Sequence, residues 1–302
     1  MSAAAPATQV AATAPRVTSR ITFRRPRAGR IFFWVIVAII IGWLLFPFYW
    51  AVRTSLTPES QMYNTPVQYF PTHPTLANYG NVFSNSLFLK ALLNSSIVGI
   101  SVTALSLTIG ASAAYAIARF NFRGRGFMMY LVLSMTMFPQ IAILQGLFQV
   151  VNTLGLFDSL LALIVSYMLF TLPFTVWVLT SFFRALPKEL EEAAYVDGAN
   201  PLQTFYRIML PLAMPGMVTT GLLALIAAWN EFLYAVTFEI DPNHYTVPVA
   251  INSFTVTGVS NFDVPWGSIM AATVVVTIPL VVLVLIFQRR IIAGLTAGAV
   301  KG

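Results

Sequence analysis

Cysteine is absent from this sequence, which excludes disulfide bridges and thiolate metal sites. Histidine occurs only at His73 and His244, both in polar connectors, so no metal centre is expected. Charge is scarce as well. Asp, Glu, Lys and Arg make up 9% of the residues, where a soluble domain carries about 25%. With 58% hydrophobic residues and a mean hydropathy of +0.78, that deficit excludes an ordinary soluble domain and places the chain among membrane proteins. The net charge of +7 does not point to nucleic acid, because the basic residues sit beside apolar runs rather than along a polar face.

Chemistry-bearing motifs are missing too. None of the three lysines follows a glycine, so there is no phosphate-binding loop. Arg123-Gly124-Arg125-Gly126 lacks a further glycine at position 129 and lies in a basic turn. Neither G-x-S-x-G nor H-E-x-x-H occurs, which leaves no catalytic residue to name. Glu231 is the one carboxylate inside a long apolar run, whereas proton-driven transporters use chains of Asp, Glu or His. A self-powered secondary transporter and an intramembrane enzyme are both disfavoured, and the chain reads as a transmembrane part whose energy comes from elsewhere.

What is present is membrane. Residues 1–30 form an Ala-, Thr- and Pro-rich leader without the apolar core of a signal peptide. Six apolar runs long enough to cross a bilayer follow, at about 31–52, 92–118, 127–150, 159–183, 212–237 and 267–288. The expected fold is an all-α, polytopic bundle of six transmembrane helices over 31–288, with a tail at 289–302. Placing the N-terminus inside puts fifteen of the seventeen basic residues in inner segments and leaves only Arg53 and Lys90 outside. Both termini are therefore expected in the cytoplasm. Of the two long outer connectors, 53–91 is rich in Pro, Tyr and Asn, and 239–266 alternates like a short strand or extended loop.

The inner connector 184–211 is unusually punctuated. Residues 188–197 read as a short helix with Glu189, Glu191 and Glu192 near its positive end and Leu190, Ala193 and Ala194 along one face. Gly198 is a helix stop able to take φ > 0. Asn200 suits an N-cap and Pro201 the first position of a second helix, which presents Leu202, Phe205 and Tyr206 before Pro211 interrupts it. The plain alternative is an amphipathic loop resting on its own bundle or on lipid headgroups. Three close acids disfavour headgroups, because the inner leaflet is itself negative.

The spacing E-A-A-x3-G-x9-I-x-L-P, carried by Glu192-Ala193-Ala194, Gly198 and Ile208-Met209-Leu210-Pro211, resembles the signature loop of ATP-binding-cassette importer permeases. "MFPQIAILQGLFQVVNTLG" (137–155), "WNEFLY" (229–234) and the tail "AGLTAGAVKG" (293–302) are similar to segments of sugar importers of the maltose type. The resemblance spans roughly 31–302 and implies that Glu192, Ala193, Ala194, Asp197, Gly198, Ile208, Leu210 and Pro211 couple the chain to an ATPase. It also implies an ATPase-facing tail containing Gly294, Leu295, Thr296 and Gly298. The implied partners are a second, different permease, two copies of a cytoplasmic ATPase, an extracytoplasmic sugar-binding protein and membrane lipid. No nucleic acid is expected, and ATP and magnesium belong to the ATPase, so this chain carries no cofactor. The implied location is a bacterial or archaeal plasma membrane. The implied cargo is maltose, maltodextrin, trehalose or a related oligosaccharide, with glycerol phosphate as the competing solute. For the substrate path the candidates are Glu231 with Asn230, Gln145 with Gln149 at i and i+4, the nearby Gln140, and Tyr167.

A cysteine-free chain allows a direct check of orientation. Gly124→Cys should react with an impermeant thiol reagent only from the cytoplasmic side, and Thr255→Cys only from the opposite side. Labelling of both from one side would overturn the topology.

Overall fold

The structure, a computed structural model, describes residues 27–255 and 264–297, apart from the side chains of 27, 28 and 290–297. Thirteen α-helices follow one another, and among the described residues there is no β-strand. The first are α1 (Arg27–Ser55), α2 (Ala77–Ser84) and α3 (Ser86–Arg119), with a 3-10 turn at Glu59–Gln61. Next come α4 (Arg125–Met137), α5 (Gln140–Thr153) and α6 (Leu160–Ala185). The inner connector supplies α7 (Glu189–Val196), α8 (Pro201–Thr204), a π-helical stretch at Phe205–Met209 and α9 (Leu210–Leu212). The chain ends in α10 (Met214–Trp229), α11 (Leu233–Phe238), α12 (Val247–Ser253) and α13 (Trp266–Ala297). The leader 1–26, part of the outer connector (256–263) and Gly298 lie outside the described residues.

By contact the chain divides after Phe48. The part of α1 before that point is an apolar helix whose described side chains are exposed apart from a half-buried Val37. Such a surface is stable only where lipid or another chain covers it.

The unit from Tyr49 onward is built around α3, α6 and α10. α3 runs along α6, α10 packs on both, and α13 lies against α10 and α2. Lipid tails are as apolar as leucine, so close backbone approach and hydrogen bonding drive this association. Both are visible. A Cβ on Gly110 of α3 would lie 2.6 Å from Thr175 Cγ2 of α6, and one on Gly216 of α10 would lie 2.6 Å from the Phe182 ring. Ser106 Oγ and Thr171 Oγ1 share a hydrogen bond of 2.8 Å across the α3–α6 seam.

Several sequence boundaries need correction. The run 127–150 is not one straight helix: α4 and α5 meet at 99° across Phe138-Pro139. Pro139 cannot donate a helical hydrogen bond, and it holds Phe138 extended (φ −72°, ψ 129°). The run 212–237 is likewise interrupted. α10 begins after a 75° bend at Ala213 and ends at Trp229, and α11 restarts at Leu233. Among the described residues four single helices are long and apolar enough to cross a membrane, and the total reaches six if each bent pair, α4 with α5 and Pro201–Leu212 with α10, counts as one span. The outer connector 239–266 contains helix α12 where an extended segment was expected, and the backbone of α13 continues to Ala297, well into the expected tail.

Gly110→Val should destabilise the bundle by about 1–3 kcal/mol through overpacking at the α3–α6 seam. Adding Thr175→Ser, which removes the opposing methyl, should restore part of the loss. Thermal unfolding of the detergent-solubilised chain reads both. Equal stability of Gly110→Val and wild type would show that the seam is loose.

Candidate functional site

The connector between α6 and α10 folds as a helical hairpin bolted to the ends of two spans. Leu186 is extended before Pro187 (ψ 141°), which stops α6 and turns the chain. Its carbonyl accepts from Arg119 Nη2 at 2.7 Å. α7 then starts with three glutamates in its first turn, where acids meet the positive end of the helix dipole.

α7 ends in a Schellman motif: Ala199 N–H donates to Ala194 O at 2.9 Å and Gly198 N–H to Tyr195 O at 3.1 Å. Gly198 sits at φ +83°, as the sequence predicts. Two residues on, Asn200 Oδ1 accepts from Gln203 N–H at 2.8 Å and Gln203 Oε1 from Asn200 N–H at 3.0 Å, a complete capping box with Pro201 at the first helical position. The corner between α7 and α8 is therefore fixed by backbone geometry on both sides.

The face of α7 turned inward differs from the expected one. Leu190 and Ala193 are exposed, and the buried pair is Glu191 and Ala194. Glu191 Oε1 accepts from Tyr115 Oη at 2.8 Å, and Oε2 lies 3.5 Å from Arg119 Nε. The side chains of Arg119 and Glu191 are only 5% and 10% exposed, so the pair is shielded from solvent and salt. Cutting one partner of such a pair costs about 3–5 kcal/mol, because it strands the other charge. Around it, the Tyr115 ring packs at 4.9 Å from Phe205, 5.6 Å from Phe183 and 5.7 Å from Phe120, between centroids. Phe205, Met209 and Ala213 complete this buried cluster. The sequence reading missed Glu191. Tyr115 and Arg119, at i and i+4 on the end of a span, offered a hydroxyl and a guanidinium that wanted an acid.

The predicted loop residues fall into two groups. Ala194, Gly198, Ile208, Leu210 and Pro211 shape the hairpin or pack beneath it; Ile208 and Leu210 are half-buried against the cluster. Glu192, Ala193 and Asp197 point outward beside Val196, Leu202 and Tyr206, which are 88%, 65% and 53% exposed. The result is a mixed acidic and apolar surface on a rigid handle. Past the π-helical stretch the hairpin runs on through α9 into α10, so it is joined to α3 through Glu191 and to α10 along the chain.

The residues assigned to a substrate path are not brought together. Glu231 is a buried helix cap: its carboxylate accepts from Tyr234 N–H at 2.8 Å and Ala235 N–H at 3.2 Å, closing the start of α11. A carboxylate serves there because the break after Trp229 leaves the first amides of α11 without helical partners. Asn230 is exposed, with Nδ2 donating back to Ile226 O. Tyr167 is fully buried between Phe170 and Tyr234. Gln145 and Gln149 are exposed on α5 and line none of the clefts described. Asn94 instead pins the outer connector, donating to the carbonyls of Asn243 and Tyr245. Gln140 alone of these lines a cleft, of about 320 Å³, at the α4–α5 break together with Thr136, Phe138, Phe170, Phe174 and Leu223. Of the predicted tail, Gly294, Leu295 and Thr296 continue the helical backbone of α13, and Gly298 lies outside the described residues.

Residues 106–296 match the family model described as "Binding-protein-dependent transport system inner membrane component". The trehalose transport system permease protein SugB of Mycobacterium tuberculosis is 43% identical over 276 residues, 91% of this chain and 99% of that protein. The trehalose/maltose transport system permease protein MalG of Thermococcus litoralis is 42% identical over 270 residues, 89% of this chain and 94% of that protein. In fold, the chain is similar to one from the crystal structure of a bacterial ABC transporter involved in the import of alginate. The TM-score is 0.76 at 22% identity, covering 88% of this chain and 98% of the other. By the matched region and by these relatives, the chain belongs to the family of binding-protein-dependent transport system inner membrane components.

Proposed function

We propose that this chain is one of two different permease subunits of an ATP-driven importer for a sugar of the trehalose or maltose class. The observation that carries the coupling role is the bolted hairpin, with its outward acids and apolar side chains and its inward Glu191–Arg119–Tyr115 contact. The basic asymmetry of the sequence favours a cytoplasmic hairpin, where one of the two ATPase copies would seat α7 in a groove, in the manner of helix-in-groove recognition. Closure of the ATPases on ATP then tilts the hairpin, and α3 and α10 move with it as rigid bodies. The chain itself hydrolyses nothing. An extracytoplasmic binding protein delivers the sugar at the other side of a bacterial or archaeal plasma membrane. Relatives named for trehalose and trehalose/maltose transport, similar along almost their whole length, support the cargo class.

The cleft at the α4–α5 break is this chain's contribution to the path. Its Phe138, Phe170 and Phe174 offer rings for the apolar faces of a sugar, and Thr136 and Gln140 offer hydrogen bonds to hydroxyls. The residues lining it include neither Arg nor Lys, which disfavours a phosphorylated cargo.

Gly198→Val places a β-branched residue at φ +83°, at a cost of roughly 1–2 kcal/mol in the left-handed region. The expected result is a membrane-inserted permease that loses the co-purifying ATPase or the hydrolysis stimulated by sugar-loaded binding protein. Gly198→Asn, which tolerates that conformation, should retain both. Normal ATPase association, stimulated hydrolysis and sugar uptake in Gly198→Val would remove the hairpin from the coupling route.

A further inference from the structure

At the start of α6, the end remote from the hairpin, one side chain meets two from a single short segment far along the sequence. Asp158 lies in the turn before α6, Glu239 follows α11, and His244 stands at the beginning of the outer connector. One ligand atom from each, two carboxylate oxygens and an imidazole nitrogen, lies within 4.8 Å of the others. His244 Nδ1 is 3.2 Å from Asp158 Oδ1 and 3.8 Å from Glu239 Oε2. Ligand atoms around a tetrahedral zinc ion are separated by roughly 3.3 Å, given bonds of about 2.0–2.1 Å.

The cluster is built rather than incidental. Asp158 takes a left-handed conformation, φ +58°, rare for a residue with a side chain. Its N–H donates to Phe238 O at 3.1 Å, and its Oδ1 accepts from the amides of Ile240 and Asp241 at 2.9 and 3.1 Å. Those bonds lock the aspartate against the segment that carries Glu239. Asn94 of α3 holds the carbonyls on either side of His244. The turn before α6, the segment after α11 and the start of α3 are thereby tied at one point.

Its charge, however, is incomplete. The side chain of Glu239 is fully buried, and among the described residues neither of its carboxylate oxygens has a hydrogen-bond donor. His244 Nδ1 also lacks a hydrogen bond, although two carboxylates face it. A protonated imidazole could aim its Nδ1–H at one oxygen only and would leave the pair of carboxylates one negative charge in excess. The Lys90 ammonium contacts Asn243 Oδ1 at 2.6 Å instead of these acids. A divalent cation would balance two carboxylates and use the lone pair of a neutral imidazole at the same time.

We propose that Asp158, Glu239 and His244 form a binding site for a divalent transition-metal cation of the zinc class. Two carboxylates and one imidazole suit zinc better than calcium or magnesium, which favour all-oxygen shells. The side chains of Asp158 and His244 are 30% and 40% exposed, leaving a way in from water and room for a fourth, solvent ligand. A bound ion would cross-link the turn before α6 to the segment after α11 and, through Asn94, to α3. That end of the bundle would then be a fixed pivot while the hairpin end moves.

The test uses the full chain, carried on a tag without histidine, stripped with a chelator in detergent and titrated with Zn²⁺ alone. Wild type should retain an equimolar amount of zinc after desalting, and its thermal midpoint should rise as the site fills. Glu239→Gln and His244→Ala should each weaken zinc binding by roughly tenfold or more and lose the thermal shift. Because a variant can fail to fold, Co²⁺ gives a second reading on wild type alone: a filled tetrahedral site shows visible d–d absorption that Zn²⁺ then displaces. No retained zinc and no cobalt spectrum in wild type would overturn the site, as would equal retention by wild type and both folded variants.

Discussion

The buried contact of Glu191 with Arg119 and Tyr115 is the constraint on which the rest of the inner surface depends. A hairpin joined to its bundle only by chain at both ends would swing freely, and no force applied to it would reach the spans. The carboxylate removes that freedom at one point, and the aromatic packing of Tyr115 with Phe183 and Phe205 removes it over an area. The strength of the ion pair comes from its burial. In water the same two charges would gain little, but here the alternative to pairing is an isolated charge in a low-dielectric surrounding. The surface left to a partner is consequently a rigid one, with Val196 and Leu202 exposed and the acids Glu192 and Asp197 beside them.

The spans themselves are less regular than six rods, and the irregularities are where polar groups gather. Pro139 breaks the third span, and the cleft with Thr136, Phe138 and Gln140 opens at that break. The fifth span stops at Trp229, and Glu231 enters to cap the short helix that resumes it. Non-helical backbone at membrane depth is tolerated only where protein or a water-filled cavity satisfies it. Both breaks follow that rule, one by facing a cleft and the other by importing a carboxylate.

Much of this was legible in order. The six apolar runs, the basic asymmetry and the loop spacing needed only local information, and so did the corner at Gly198, Asn200 and Pro201. Each of those residues acts on its own backbone or that of residues a few places away. Other roles were not legible, either because a helix breaks inside a continuous apolar run or because a side chain's partners are distant in sequence. Glu231 looked like a path residue because a lone carboxylate in an apolar run is costly, but its donors exist only once the helix has broken. The α7 face was assigned to Leu190, Ala193 and Ala194 by hydrophobicity, yet the buried position went to Glu191, for which Arg119 and Tyr115 supply a partner that leucine would have refused.

The sequence by itself determined that this chain lives in a membrane, how many times it can cross, and where it carries its polar handle. Those properties follow from transfer free energies and backbone preferences that belong to single residues or short runs. Only the tertiary structure decided which carboxylates are used and how. Glu191 is paired, Glu231 caps a helix, and Glu239 faces nearby His244 and, across a long stretch of chain, Asp158. A buried charge takes its meaning from the atoms opposite it, and whether those atoms lie on α3, in a neighbouring turn or at a helix break is settled only when the chain has folded.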